Sequence, residues 1–288
     1  MFKKTAIAVA FGVAAGTAAH AQETPVATGD EYIDSFRWQL DGAASRSKID
    51  AGGNDGDIDS FGLSGRYYLR DVVTNKGPLG EAPFLDMASS VGASWVYTDL
   101  GDVVDDLDAD IYTLDGRFVF NRFIVEGAWS RETPDPSDID VYSLGLGYYI
   151  TDTTTIIGTY RTSDVDESDA INASDIDEWN IGLEHLWLLG TDDSGFKLEA
   201  NYGWVDVDNG DDIDSWNLSG TWYITRELGI SANYTRVDDA GIEVDTYGLG
   251  AEWFVTDDIA LSAAYAYEEA DDSDVEVDIF VVGAEMRF

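Results

Sequence analysis

One phrase recurs along this chain: an acidic start followed by a run in which bulky and small polar side chains alternate. It reads DIDSWNLSGTWYIT at residues 212–225. Similar copies begin at 57, 138 and 175, and looser copies begin at 243 and 276. Successive side chains of an extended strand point to opposite faces. Each copy therefore predicts a β-strand with one apolar and one polar face.

Runs with this alternation occur fourteen times after residue 30. The predicted strands are 31–45, 57–70, 84–98, 108–121, 122–133, 138–151, 154–166, 174–189, 195–208, 211–225, 227–240, 242–256, 258–270 and 274–288. The connections alternate between very short turns, such as NR at 121–122, and longer acidic loops, such as VDNGDD. Short turns at one rim and longer polar loops at the other are typical of a transmembrane up-and-down barrel.

The predicted fold class is therefore all-β: a transmembrane antiparallel up-and-down β-barrel of about 14 strands, with 12 or 16 as alternatives. A soluble β-sandwich seldom tolerates glycine, serine and glutamate on one face of nearly every strand, whereas a barrel lumen does. A solenoid needs a regular short period, and the acidic phrases are irregularly spaced. We expect one barrel domain over residues 31–288.

Aromatic residues occur at two matched positions of the predicted strands, which suggests the girdles of a membrane barrel. The set beside the acidic phrases is Phe61, Tyr112, Tyr142, Trp179, Trp216, Tyr247 and Phe280. The set toward the short turns is Tyr67, Phe118, Tyr148, Trp187, Trp222 and Trp253. A general preference of aromatics for strands is the alternative explanation.

The first 21 residues have the pattern of a secretory signal peptide. Lys3 and Lys4 precede an apolar stretch, and Ala19-His20-Ala21 is a small-x-small cleavage site. We therefore expect residues 1–21 to be a signal peptide and residues 22–30 a short N-terminal segment. The apolar stretch is too short for a permanent transmembrane helix.

The chain is strongly acidic, with 57 Asp and Glu against 16 Lys and Arg and a formal net charge of −41. This charge excludes nucleic acid as a partner, because binding it requires basic residues that release counterions. With no cysteine, the chain has neither disulfides nor thiolate metal sites.

Candidate catalytic and metal-binding residues are few. His185 is the one histidine after the predicted signal peptide, and it shares an alternation face with Trp179 and Trp187. We therefore expect an interfacial histidine, no catalytic residue and no bound cofactor. Carboxylates beside glycine are the oxygen ligands that Ca²⁺ or Mg²⁺ prefers, so loose binding at the outer loops is a hypothesis. Its candidate ligands are Asp206, Asp208, Asp212, Asp55 and Asp57.

The polar face of the predicted strands carries charges of both signs, which we expect to line a pore. The candidate pore-lining residues are Arg37, Arg66, Asp115, Arg117, Glu126, Arg161, Glu184, Lys197, Glu199, Glu252, Glu285 and Arg287. Fourteen strands enclose an opening of roughly 15 Å. These charges either line a hydrated channel or pair across the lumen. The best candidate for an inward connection is 71–83.

Two stretches resemble known outer-membrane proteins. The end of the chain, GAEMRF with a final Phe288, resembles the C-terminal strand signature by which Gram-negative outer-membrane proteins are recognised for barrel insertion. The stretch KGPLGEAPFLDMASSVGASW at 76–95 resembles the connection after the second strand in a family of bacterial porins. The resemblance implies an outer-membrane barrel with pore activity and transfers no catalytic residue.

The predicted function is that of an outer-membrane porin, not an enzyme. We expect passive diffusion of small hydrophilic solutes, with cations preferred at an acidic mouth. The alternative is a closed structural or adhesive barrel whose acidic loops bind divalent cations, lipopolysaccharide or an external partner. The expected partners are membrane lipid, lipopolysaccharide and, through the strand ending in Phe288, the barrel-assembly machinery.

Overall fold

The computed structural model describes residues 35–51, 55–100, 108–134, 138–165, 176–190, 193–207, 213–239, 242–271 and 275–288. The predicted signal peptide and the segment 22–30 lie outside these residues. Among the helices described, none is long and apolar enough to cross a membrane.

The chain forms a closed antiparallel barrel of 14 strands, in which each strand pairs with its sequence neighbours and the first pairs with the last. The strands are β1 (Ser35–Ala51), β2 (Asp55–Val73), β3 (Ser90–Asp99), β4 (Asp108–Phe120), β5 (Phe123–Pro134), β6 (Ile139–Thr151), β7 (Thr154–Val165), β8 (Ile176–Leu189), β9 (Ser194–Val207), β10 (Ile213–Tyr223), β11 (Leu228–Asp239), β12 (Ile242–Thr256), β13 (Ile259–Ala270) and β14 (Val275–Arg287). The predicted fold class and strand number are confirmed.

Two predicted strands differ most from their observed bounds. β1 was predicted over 31–45; residues 31–34 lie outside the described residues, and the strand continues to Ala51 because it pairs with β14 from Gln39 to Ala51. The third strand was predicted to begin at 84. The structure instead has a 3-10 turn at Leu79–Glu81 and a short α-helix at Ala82–Leu85, and β3 begins at Ser90.

The outer face of the barrel is apolar. Large apolar side chains that alternate along the strands, such as Leu218, Leu249 and Val282, are well exposed. All seven aromatics of the set beside the acidic phrases are exposed in the same way. In the second set, Tyr67 packs against the outward Trp38, with ring centroids 4.8 Å apart. This surface suits contact with lipid chains.

Short turns join the strands at one rim, which we call the short-turn rim. Between β4 and β5, Asn121 and Arg122 both have positive φ, 47° and 75°. Two central residues with positive φ make a type I′ turn, whose twist matches that of the paired strands. At the same rim Phe288 closes the β1–β14 seam, and its carbonyl accepts hydrogen bonds from the backbone N–H groups of Arg37 and Trp38.

Candidate functional site

The barrel interior holds a cavity of about 730 Å³ on the long-loop side, and its wall mixes polar residues with apolar ones such as Val96, Ile111 and Val141. Small hydroxyl side chains from the first seven strands line much of it. They include Ser45, Ser60, Ser64, Ser94, Thr113, Ser130, Ser143 and Ser163. Charged residues lie among them, namely Asp41, Arg66, Asp115, Glu132, Arg161 and Glu178. Such a lining provides hydrogen-bond donors and acceptors to a hydrated solute.

Interior charges on β2 to β8 form ion pairs along the wall of the barrel. Arg66 Nη1 lies 2.7 Å from Asp115 Oδ2, and Arg161 Nη1 lies 3.3 Å from Glu178 Oε2. Arg117 pairs with Glu126, which faces it directly on the neighbouring strand. Because these partners lie on neighbouring or nearby strands, each of these pairs follows the wall and does not itself cross the lumen.

Lys197 is the centre of a buried cluster of carboxylates. Its Nζ lies 3.6 Å from Glu184, 3.4 Å from Glu199 and 2.9 Å from Glu81. Glu184 and Glu199 are cross-strand neighbours on β8 and β9. Glu81 belongs to the connection between β2 and β3. A lysine of the wall therefore binds a residue that comes from the far side of the barrel.

Residues 74–89, which we call the inward segment, cross the lumen at the short-turn rim. The segment leaves β2, and Glu81 accepts a hydrogen bond from Tyr223 at the end of β10. Tyr149 on β6 donates a hydrogen bond to the carbonyl of Phe84 over 3.1 Å. Because β6 and β10 are separated from β2 by several strands, these contacts span the opening.

The backbone of the inward segment is held by three groups of the barrel. The Leu79 N–H donates to the carbonyl of Arg226 over 2.9 Å, and Arg287 Nη1 donates to the Leu79 carbonyl over 3.1 Å. Arg226 Nη2 donates to the Thr74 carbonyl over 3.4 Å. These bonds satisfy buried backbone groups that have no partner within a helix or strand.

Apolar contacts seal the same segment against the wall. Leu79 is fully buried and packs with Phe254 and Ala260, while Leu85 packs with Leu186 and Tyr223. Arg287, only 1% exposed, lies between the rings of Phe36 and Phe254, with its guanidinium carbon 4.6 and 4.3 Å from their centroids. The inward segment therefore fills the short-turn end of a lumen that strand number alone would leave open.

Glycine permits the closest approach between segment and wall. A Cβ on Gly80 would lie 2.6 Å from an oxygen of Glu252, and a Cβ on Gly77 would lie 2.9 Å from Leu188. A larger residue at either position would require the side chain of Glu252 or Leu188, or the segment itself, to shift. The KGPLG motif thus serves the fit of the segment inside the barrel.

Most of the predicted interior charges lie on the inner face, and Arg37 does not. β1 has an irregularity between Phe36 and Trp38, so Phe36 turns into the interior core while Arg37 pairs with Asp71 at 2.5 Å beside the outward Tyr67. The alternation used to place Arg37 inside is broken at this bulge. Glu285 is inside, 2.6 Å from Arg287.

The predicted metal ligands that the structure describes, Asp55, Asp57 and Asp206, form no metal-binding group. Asp57 lies 3.9 Å from Arg46, Asp206 is exposed at the end of β9, and Asp55 is the first residue of β2. Asp208 and Asp212 lie outside the described residues. Across the part of the chain that the structure describes, no three histidine or acidic side chains group closely enough to hold a metal ion.

His185 lies on the outer face. Its Nδ1 is 2.6 Å from the Thr154 hydroxyl, and its ring is 4.1 Å from that of the exposed Trp187. This position agrees with an interfacial side chain.

The anchors of the inward segment were not predicted, although the sequence contains a signal for them. Pairs of adjacent aromatics end several strands at the short-turn rim, and adjacent residues of a strand point to opposite faces. Of Trp222–Tyr223 the first faces lipid and the second is buried, and Trp253–Phe254 behaves in the same way. The second member of each pair thus indicates an interior contact.

Comparison with known proteins identifies related families. A family model described as "Putative general bacterial porin" matches residues 34–157, and one described as "Gram-negative porin" matches residues 188–273. No curated protein sequence matches the chain.

Solved outer-membrane proteins share the fold. The outer membrane protein Omp33 of Acinetobacter baumannii is similar with a TM-score of 0.62 at 18% identity, over 88% of this chain and 99% of that chain. The toluene transporter TodX of Pseudomonas putida is similar with a TM-score of 0.51 at 11% identity, over 88% and 90% of the two chains. At these identities the likeness establishes the barrel fold alone.

Proposed function

Because this chain belongs to the Gram-negative porins and forms a β-barrel of the outer membrane, we propose that it allows passive diffusion of small hydrophilic solutes. The family indicates a channel rather than an enzyme. The observation that carries the proposal is an interior cavity of about 730 Å³, in which hydroxyl and charged side chains lie among apolar ones, inside a barrel whose outer face is apolar. Hydroxyl groups and wall-paired charges replace part of the hydration shell of a passing solute.

We propose that cations pass more readily than anions. The chain has a formal charge of −41, and its acidic residues concentrate in the loops at the long-loop rim. A mouth of one sign raises the local concentration of counter-ions. The same loops are candidates for contact with lipopolysaccharide through divalent cations, and the C-terminal strand ending in Phe288 for recognition by the barrel-assembly machinery.

The inward segment favours a second candidate, a barrel that stays closed. Leu79 and Glu81 fill the short-turn end, so solute leaves the cavity only past this segment. The alternative is then a structural or adhesive barrel whose acidic loops bind an external partner.

Planar-bilayer recording of the refolded chain separates the two candidates. If the protein is a porin, we expect stepwise conductance. Under a salt gradient, the reversal potential should have the sign of a cation-selective channel. A barrel that is folded, as shown by its heat-modifiable gel mobility, yet gives no conductance steps would overturn the porin proposal and favour the closed barrel.

A matched pair of variants tests the wall of the cavity. Arg66 and Asp115 face each other in the cavity, so Arg66→Gln removes a positive charge and Asp115→Asn removes a negative one at the same level. We expect cation preference to rise in the first variant and fall in the second. Equal selectivity in both would show that ions do not pass this wall.

A further inference from the structure

The second aspartate of the repeated acidic phrase is hydrogen-bonded to a side chain of the preceding strand in every hairpin of the barrel. In the β9–β10 hairpin, Tyr202 lies directly opposite Trp216, and its hydroxyl donates to Asp214 over 2.7 Å. Asp214 and Trp216 are two residues apart on one strand, so both lie on the outward face. The aspartate therefore accepts a hydrogen bond from the aromatic of the preceding strand at the edge of the apolar band.

Five more hairpins repeat this bond with different side chains. Three use tyrosine hydroxyls, which donate over 2.5–2.7 Å: Tyr160 to Asp177, Tyr234 to Asp245 and Tyr265 to Asp278. Two use indole N–H groups, Trp95 to Asp110 over 2.6 Å and Trp129 to Asp140 over 3.1 Å.

In the first hairpin an arginine takes the place of the aromatic donor. Ala44 occupies the place of the donor aromatic opposite Phe61, and Arg46 pairs instead with Asp59 at 2.5 Å. All seven hairpins thus place a hydrogen-bonded aspartate two residues before an outward aromatic. We call Asp59, Asp110, Asp140, Asp177, Asp214, Asp245 and Asp278 the aspartate ring.

The strand register places the aspartate ring at one height. Trp179 on β8 pairs with Trp204 on β9, and Trp204 pairs with Asp214 on β10. The residue level with the aromatic of one hairpin is therefore the aspartate of the next hairpin, a shift of two residues. The same step joins every pair of neighbouring hairpins, including the last to the first through Phe280, Arg46 and Asp59. The shift is the same between all neighbouring hairpins, and after seven hairpins the series returns to the residue where it began. The seven aspartates therefore lie at one height, in a plane parallel to the membrane.

We propose that the aspartate ring docks the barrel on the lipid surface, at the boundary between the acyl chains and the polar headgroups. Below it, the outward side chains are apolar and aromatic. An ionised carboxylate has about four acceptor sites. The aromatic donor takes one of them at Asp110, Asp214 and Asp278, whereas Asp59 and Asp140 bind an arginine side chain. The remaining sites accept hydroxyl, ammonium or water donors of the headgroup layer. The aromatic beside it is held with its polar atom toward that layer, as interfacial tyrosine and tryptophan require. The inference needs only the outer-membrane barrel and is independent of conduction.

Spin labelling in lipid vesicles tests this depth directly. The chain has no cysteine, so single cysteines label cleanly. Trp204→Cys lies beside Asp214 and leaves the Tyr202 bond intact, while Leu218→Cys lies lower on the same outward face. In vesicles of phosphatidylethanolamine and phosphatidylglycerol we expect headgroup depth for the label at 204 and acyl-chain depth at 218, with Asn217→Cys as the inward control. Acyl-chain depth or full water exposure at 204 would overturn the proposal.

A second experiment moves the boundary. Replacing Asp177, Asp214 and Asp245 together by leucine extends the apolar band by two residues on three hairpins, or roughly 5 Å along the membrane normal. Folding should then be fastest in phosphatidylcholines of longer acyl chains than for the native barrel. The matched triple asparagine variant keeps polar acceptors, so its preferred chain length should not change. Identical preferences for the leucine and native chains would contradict the docking role.

Discussion

Glu81 is the residue that ties the inward segment most directly to the opposite wall. It is 3% exposed, accepts a hydrogen bond from Tyr223 and lies 2.9 Å from Lys197 Nζ. A buried carboxylate with both a hydroxyl donor and an ammonium partner is stabilised by bonds that are lost if the segment leaves its site. The contact therefore favours the closed position of the segment.

Replacing Glu81 by glutamine is expected to increase the time that the lumen is open. A hydrogen bond to a charged group contributes about 1.5–3 kcal/mol, and a loss of about 1.4 kcal/mol changes an equilibrium tenfold. We expect the open probability in single-channel recording to rise by about ten-fold. The control is Glu178→Gln, which removes a wall carboxylate paired with Arg161 and does not touch the inward segment. A similar rise in both variants would assign the effect to general loss of negative charge.

Arg122 occupies a turn position whose backbone conformation disfavours most side chains. Its φ of 75° lies in the left-handed region, where a residue with a Cβ is disfavoured by about 1 kcal/mol. Its exposed ion pair with Asp152 contributes little in return.

The variant Arg122→Gly is therefore expected to raise the unfolding free energy by about 0.5–1 kcal/mol, measured by urea unfolding of the barrel in lipid vesicles. Arg122→Ala at the same position should lower it, because alanine keeps the strain and loses the ion pair. A glycine variant less stable than the native barrel would show that the side-chain bonds of Arg122 contribute more than backbone strain.

At the scale of elements, the alternation of the sequence was enough to predict the strands, and it failed where the chain leaves the regular pattern. β10 and β12 repeat the acidic phrase and lie close to their predicted bounds. The short helix at Ala82–Leu85 has no helical periodicity long enough to detect, and its position is set by tertiary contacts of Leu79 and Leu85. The bulge that turns Arg37 outward likewise depends on Phe36 packing inside.

The interior charged residues also fall into those that local alternation could predict and those that it could not. The wall pairs of Arg117 and Arg161 join residues on neighbouring strands, so inner-face alternation was enough to bring them near each other. Lys197 and Glu81 are far apart in the sequence, and no local pattern predicts that they come into contact. The same limit applies to Arg287, which donates to the carbonyl of Leu79 although the two residues are 208 positions apart in the chain.

Removing the inward segment as an element tests its role as the barrier. We expect replacement of residues 77–86 by a glycine–serine linker of equal length to raise unitary conductance several-fold, because the contacts of Leu79, Glu81 and Leu85 are lost together. The strands stay intact, so the gel mobility of the folded barrel should be retained. The matched control is the same replacement in the acidic loop 166–175. Unchanged conductance in a folded barrel would contradict a barrier at the short-turn end.

At the scale of the whole molecule, the barrel carries negative charge in two places that act differently on ions. The sequences of the long loops hold an excess of carboxylates, while the interior pairs many of its carboxylates with Arg66, Arg117, Lys197 and Arg287. Salt screens exposed charges over about 10 Å at 0.1 M and about 3 Å at 1 M, and it screens buried pairs much less. Salt dependence therefore separates the two sources of selectivity.

We expect the cation preference to come mainly from the loops and hence to decrease as salt rises from about 0.1 M to about 1 M. Neutralising one loop with Asp166→Asn, Glu167→Gln, Asp169→Asn and Asp175→Asn should lower the preference at low salt and leave it unchanged at high salt, as measured by reversal potentials. The Asp115→Asn variant, which changes one wall charge, should lower the preference at both salt concentrations. A native preference that is constant over this range and insensitive to the loop variant would place the selectivity in the lumen, because only charges shielded from bulk ions keep their effect in high salt.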